Sequence, residues 1–127
     1  MRKRIIVTGA SKGVGNAVVK RLLRQGHTII ATARTNSFGA EEKMGKLHFF
    51  MTDLAVSCSG IDLVDHINKE SLLPIDGFVH CAGIAPDLRV TENERAKVKD
   101  VFEVNALSFF DIVQSVEKWG GGVKALL

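Results

Sequence analysis

Residues 8–15 read Thr8-Gly9-Ala10-Ser11-Lys12-Gly13-Val14-Gly15, between a short apolar run, Ile5-Ile6-Val7, and an amphipathic stretch over 16–25. A strand, a glycine turn and a helix in that order gather open backbone N–H groups and the positive end of a helix dipole at one point, which suits a diphosphate. The order also constrains the fold, because a strand feeding a helix packs back onto a parallel neighbour with right-handed crossovers.

The rest of the chain repeats this alternation. Strands are expected at 4–7, 28–34, 47–51 and 78–80, and helices at 13–25, 59–70 and 95–118. In the first helix Val14, Ala17, Val18 and Leu22, with Val19 as a further candidate, recur at helical spacing, and Gly26 is expected to close it as a left-handed cap. Ser59 is a fair N-cap for the second. In the third, Val98, Val101, Phe102, Asn105, Phe109, Ile112 and Val113 form one stripe. A short helical turn is expected around 40–44, a polar loop at 86–93, a break at Gly120-Gly121-Gly122, and the start of a fifth strand at 123–127. Short loops between these elements imply an α/β fold: a doubly wound, Rossmann-like parallel sheet of order 3-2-1-4 with a ligand crevice between strands 1 and 4. All of residues 1–127 are expected to form one domain.

Bulk properties narrow the function. Seventeen basic against fourteen acidic residues give a net charge of +3, part of it in the lead-in Met1-Arg2-Lys3-Arg4. No basic stripe or aromatic platform accompanies that lead-in, so no nucleic-acid partner is expected. No apolar run approaches the roughly 20 residues that span a bilayer, and no signal-peptide core precedes the first strand. Cys58 and Cys81 form no C-x-x-C pair, which points to reduced thiols in a cytoplasmic protein. The histidines, at 27, 48, 66 and 80, have no ligand-type spacing, so no metal site is expected.

The glycine spacing is specific: three residues separate Gly9 from Gly13, unlike the ordinary G-x-G-x-x-G form. Asp53-Leu54 follows the third strand, Ala82-Gly83 the fourth, and Asn105 lies in the long helix. With these matches in order, the sequence resembles the short-chain dehydrogenase/reductase family over essentially its whole length. The resemblance implies that Gly9 permits a tight turn, Gly13 lets backbone approach a pyrophosphate, and Gly15 lets the helix pack on the sheet. It implies that Asp53 accepts from an adenine amino group and Leu54 lines the adenine pocket, although an Asp here would also serve as a local cap. Ala82 and Gly83 would lie against the cofactor ribose. The two residues before them are His80 and Cys81 where the family carries asparagines, so His80 reads as a structural strand-end histidine and Cys81 as a small filler.

Charge bears on the choice of cofactor. A carboxylate at the end of the second strand would hold the ribose hydroxyls of NAD and repel a 2′-phosphate. Here that position is Ala33-Arg34, and the glycine loop carries Ser11 and Lys12. Unless these are ordinary surface charges, two cations without a carboxylate favour NADP(H) over NAD(H).

The family's chemistry is hydride transfer between a nicotinamide and a carbonyl or alcohol carbon of a small molecule. It requires a Tyr-x-x-x-Lys pair, and the chain has no tyrosine. Of the catalytic group only Asn105 is expected, its family role being to hold a kink and a water in the long helix. The chain is therefore expected to be inactive alone and to represent a truncated N-terminal half. The alternatives are a non-catalytic dinucleotide-binding module and a frameshifted gene product. The sheet edge left beside strand 4 would invite self-association, aided by Phe102, Phe109, Phe110 and Trp119 on the last helix.

Overall fold

Branched and apolar runs form strands here because their side chains pack well on a pleated surface that is covered on both faces. The computed structural model describes residues 2–39, 46–84, 95–119 and 124–126. Its strands are β1 (Arg4–Thr8), β2 (Thr28–Ala33), β3 (Leu47–Met51), β4 (Gly77–His80) and β5 (Lys124–Leu126). They pair in parallel in the order β3-β2-β1-β4-β5. The 3-2-1-4 order is as expected, and the anticipated fifth strand pairs with β4. The expected turn at 40–44, the loop at 86–93 and the glycine triplet lie outside the described residues.

Alternate strand residues serve two cores. Val7, Ile29 and Ala31 pack with Val19 of α1 (Gly13–Arg24) on one face. Ile6, Ile30 and Phe78 pack on the other with Val64 and Ile67 of α2 (Ser59–Lys69) and with Ile112 and Val116 of α4 (Ser108–Lys118). Every residue of β2 is buried, as the interior strand of a two-sided sheet requires. At the foot of the sheet, the Arg4 N–H donates to Asp76 Oδ2 and the Asp76 N–H to the Arg4 carbonyl, both at 2.9 Å, which aligns β1 with β4.

Three expectations are corrected. In α1, Gly15 and Val19 are buried and Val18 and Leu22 half-buried, while Val14 and Ala17 are exposed. Val14 lies in the first turn, and Ala17, two positions from both Gly15 and Val19, falls on the far side of the helix. Ser59 is not the N-cap of α2. Cys58 is, in the left-handed region at φ 63°, and Ser59 is already helical with its Oγ buried and without a hydrogen-bond partner among the described residues.

The long helix is also not continuous. It runs as α3 (Arg95–Phe102), a π-helical turn (Glu103–Leu107) and α4. At the end of that turn the Ser108 N–H donates to the Glu103 carbonyl, five residues back. The wider turn changes the helix phase, so the buried line is Val104, Ser108, Ile112 and Val116. Phe102, expected on the stripe, is 62% exposed, and Val98 is exposed too, while Phe109 and Val113 are half-buried against the core.

Candidate functional site

The carboxyl ends of β1, β2 and β4 open onto a cleft of about 440 Å³. It lies where the strand order reverses, the place at which open α/β sheets bind ligands. Of the expected site residues, Gly9, Lys12, Arg34, Asp53, Leu54, Ala82 and Gly83 line it. Ser11, Gly13, Val14, Gly15 and Asn105 do not line the cleft and act, where they act, from behind or beside it.

The glycine loop is held by packing. Gly9 has φ +62°, and a Cβ there would lie 2.6 Å from the Ala82 nitrogen. A Cβ on Gly15 would run into the Gly9 carbonyl, 2.7 Å from its carbon, and would sit 3.2 Å from Cys81 Cβ. No side chain fits at either place, so loop, helix and β4 end meet at backbone distance. Gly13, at φ +60°, has open space around the same position. The loop is tied laterally as well: Asn16 Nδ2 donates to the Ala10 carbonyl at 3.2 Å and Ser37 Oγ to the Ser11 carbonyl at 2.6 Å.

Above this loop the start of α1 is uncompensated. Its N-cap, Lys12, makes no side-chain capping bond, and the first turn carries no acidic residue. The open N–H groups and the positive helix end are therefore available to an anion. Lys12 and Arg34 are exposed and both line the cleft. Asp53 accepts the Ala55 N–H on Oδ1 at 3.0 Å, which is the local cap that an Asp after a strand affords and engages one of its two oxygens.

The β4 end is the most connected part of the site. His80 is buried, with Nδ1 2.8 Å from Thr8 Oγ1 and Nε2 3.0 Å from the Val104 carbonyl. A carbonyl only accepts, so Nε2 carries the hydrogen and Nδ1 accepts from the Thr8 hydroxyl. Thr8 Oγ1 in turn accepts the Ala82 N–H at 3.1 Å. Burial pulls the His80 pKa below the usual histidine value, partly offset by hydrogen bonds to the backbone of Val104 and Asn105. Burial likewise raises the Cys81 thiol, which leaves it a poor nucleophile. Asn105, inside the π-helical turn, grips Ile84 at two points: Oδ1 accepts the Ile84 N–H at 2.8 Å and Nδ2 donates to its carbonyl at 3.0 Å.

Comparison with known proteins agrees with this geometry. The short chain dehydrogenase family model matches residues 3–119. The chain belongs to that family. An acetoacetyl-CoA reductase from Allochromatium vinosum is 29% identical over 95% of the chain and 51% of the relative. A solved short chain dehydrogenase family protein from Francisella tularensis superposes with a TM-score of 0.79 at 29% identity, covering 98% of this chain and 48% of that one. A 4-hydroxyisoleucine dehydrogenase complexed with NADH superposes with a TM-score of 0.78 at 28% identity, covering 92% and 49%. The chain thus spans about half the length of the curated relatives it matches. A 3-oxoacyl-(acyl-carrier-protein) reductase from Agrobacterium tumefaciens with NADP bound shares the fold at a TM-score of 0.77 and 22% identity, covering 97% and 51%. Of these neighbours, one is complexed with NADH and another has NADP bound.

Sequence reasoning missed Thr8 and Asp100, the latter a cleft-lining residue on α3. Thr8 stood in the motif, but its partner lies 72 residues away and no local pattern marks the pair.

Proposed function

We propose that this chain forms the NADP(H) site of a short-chain oxidoreductase acting on a small-molecule carbonyl or alcohol. The observation that carries the cofactor preference is that Lys12 and Arg34 both line the cleft and no carboxylate terminates β2. A 2′-phosphate needs paired cationic donors there, and the guanidinium of Arg34 suits bidentate contact. The backbone fits a dinucleotide at Gly9, where a Cβ would close the approach between loop and Ala82. In this reading the Ser11–Gly15 loop and the start of α1 hold the diphosphate, Asp53 and Leu54 the adenine, and Ala82 and Gly83 border the ribose. Asn105 keeps the role that the resemblance implies, as the one member of the catalytic group carried here. When bound, the nicotinamide supplies the hydride chemistry.

A fluorescence titration at fixed salt tests this, with NADPH expected to bind at least about tenfold tighter than NADH. Equal affinities overturn it. The chain contains no tyrosine, and that favours a second reading, a non-catalytic dinucleotide-binding module or a truncated or frameshifted product. Mixing the chain with NADPH and simple ketones separates the two. No carbonyl reduction is expected from the chain alone, and turnover like that of an ordinary reductase overturns the expectation.

The same reading places the protein in the cytoplasm, without nucleic-acid or membrane partners. Among the described residues no helix is long and apolar enough to cross a membrane. Self-association through the sheet edge beside β5 is part of the proposal. Its support is the exposure of Phe102, Phe110 and Trp119 along the α3–α4 side.

A further inference from the structure

The β4 end holds a hydrogen-bond relay that links the glycine loop to the π-helical turn, and its centre is a titratable ring. In a regular helix the Val104 carbonyl would accept the Ser108 N–H. Here that N–H goes to Glu103, and the released Val104 carbonyl instead accepts from His80 Nε2 at 3.0 Å and Ser108 Oγ at 2.7 Å. On the other side of the ring, Nδ1 orients the Thr8 hydroxyl, whose oxygen accepts the Ala82 N–H. Ala82 lines the cleft, and its nitrogen is the atom that a Cβ on Gly9 would strike.

We propose that His80 is a positioning residue for the cofactor cleft: as the neutral Nε2–H tautomer it fixes the Thr8 hydroxyl and thereby the Ala82 wall, and protonation of the ring loosens that wall and weakens NADP(H) binding. The inference rests on the cofactor reading above. Its chemistry is a conflict of donors. An imidazolium donates from both nitrogens. Thr8 Oγ1 must then accept from Nδ1 while its own hydrogen loses its acceptor, in surroundings where an unpaired polar group is costly.

Among the described residues, the groups facing the ring offer the imidazolium no counter-charge. They are Thr8 from β1, the backbone of Val104 and Asn105 from the π-helical turn, Phe109 from α4 with its ring centroid 5.7 Å away, and Phe78 on its own strand at 5.6 Å. Cys81, next in the chain, is held as the neutral thiol by burial. The low position of the His80 pKa agrees with this environment.

The test uses the full chain and three variants, His80→Asn, Thr8→Val and Thr8→Ser, with NADPH affinity measured between about pH 5.5 and pH 7.5, across the usual histidine range. The phosphate of NADPH titrates in the same window, but it does so identically for every protein, so the comparison between proteins isolates the ring. Wild type and Thr8→Ser should lose about two- to fivefold more affinity on acidification than His80→Asn and Thr8→Val, less than the roughly tenfold per pH unit that one linked proton allows because burial holds the ring's titration low. A second readout needs no cofactor: the ¹⁵N–¹H resonance of Ala82 should move with the His80 ring titration in wild type and hold still in His80→Asn. Identical pH profiles in all four proteins, or an Ala82 resonance indifferent to the ring, overturn the role of His80. Absence of NADPH binding at every pH overturns the cofactor reading instead, and the proposal with it.

Discussion

On the β1–β4 side of the cleft, Thr8, Gly9, His80 and Ala82 lie interlocked, with backbone against backbone and each buried polar group paired. Elsewhere around the cleft, Lys12, Arg34 and Asp53 stand exposed on the loops that follow β1, β2 and β3. The first side is shaped by exclusion, since almost any added atom collides. The second is shaped by charge in a high-dielectric setting, where side chains can change without disturbing the fold. The contrast teaches where each property resides: the inner side gives the cleft its shape, and the outer side is where the proposed preference for NADP(H) would be set.

The harshest way to break the inner side is Gly9→Ala, which puts a Cβ 2.6 Å from the Ala82 nitrogen at a positive φ. We expect a loss of about 3 kcal/mol or more in urea denaturation, within the range seen for strain at special backbone positions. A loss below that of an average surface change would show that the loop has room to yield. Thr8→Val comes next, because it leaves the Ala82 N–H without its acceptor and His80 Nδ1 without its donor. It should cost about 1–3 kcal/mol, with Thr8→Ser close to wild type.

On the outer side, Arg34→Ala should lower the preference for NADPH over NADH by about tenfold, roughly 1.4 kcal/mol. Stability should stay within about 0.5 kcal/mol, as for an exposed side chain. A large drop in melting temperature with unchanged selectivity would reverse the assignment of the two sides. The smallest effect is a slope. His80 has its folded pKa depressed by burial, so its contribution to stability is complete above the unfolded value near 6.5 and declines as the pH falls from there toward the folded value. Denaturation midpoints should therefore fall more steeply with acid in wild type than in His80→Asn, and parallel slopes would remove His80 from the account.

Much of this was legible in order along the chain. Strand and helix alternation gave the 3-2-1-4 sheet, because period and crossover handedness leave few alternatives. Of the residues that the motifs mark, Gly9, Asp53, Leu54, Ala82 and Gly83 line one cleft, whereas Gly13 and Gly15 do not. What failed to show was phase and capping. The kink that the resemblance implies at Asn105 falls inside the π-helical turn, but no spacing in Glu103-Val104-Asn105-Ala106-Leu107 shows how far that turn shifts the phase, so a single stripe wrongly puts Phe102 on the buried side. Ser59 carries the chemistry of an N-cap, yet the left-handed Cys58 takes the cap position and Ser59 is the first residue of α2.

The sequence by itself determined the local currency of the protein: which segments are strands or helices, where the backbone must be free of a Cβ, and which charges flank the loop. Those follow from neighbours a few residues apart. Only the tertiary structure decided the pairing of Thr8 with His80, the release of the Val104 carbonyl to the ring, and the grip of Asn105 on Ile84. These contacts join residues 72, 24 and 21 positions apart. Their geometry depends on how β1, β4 and the broken helix pack together, and no local pattern carries that information.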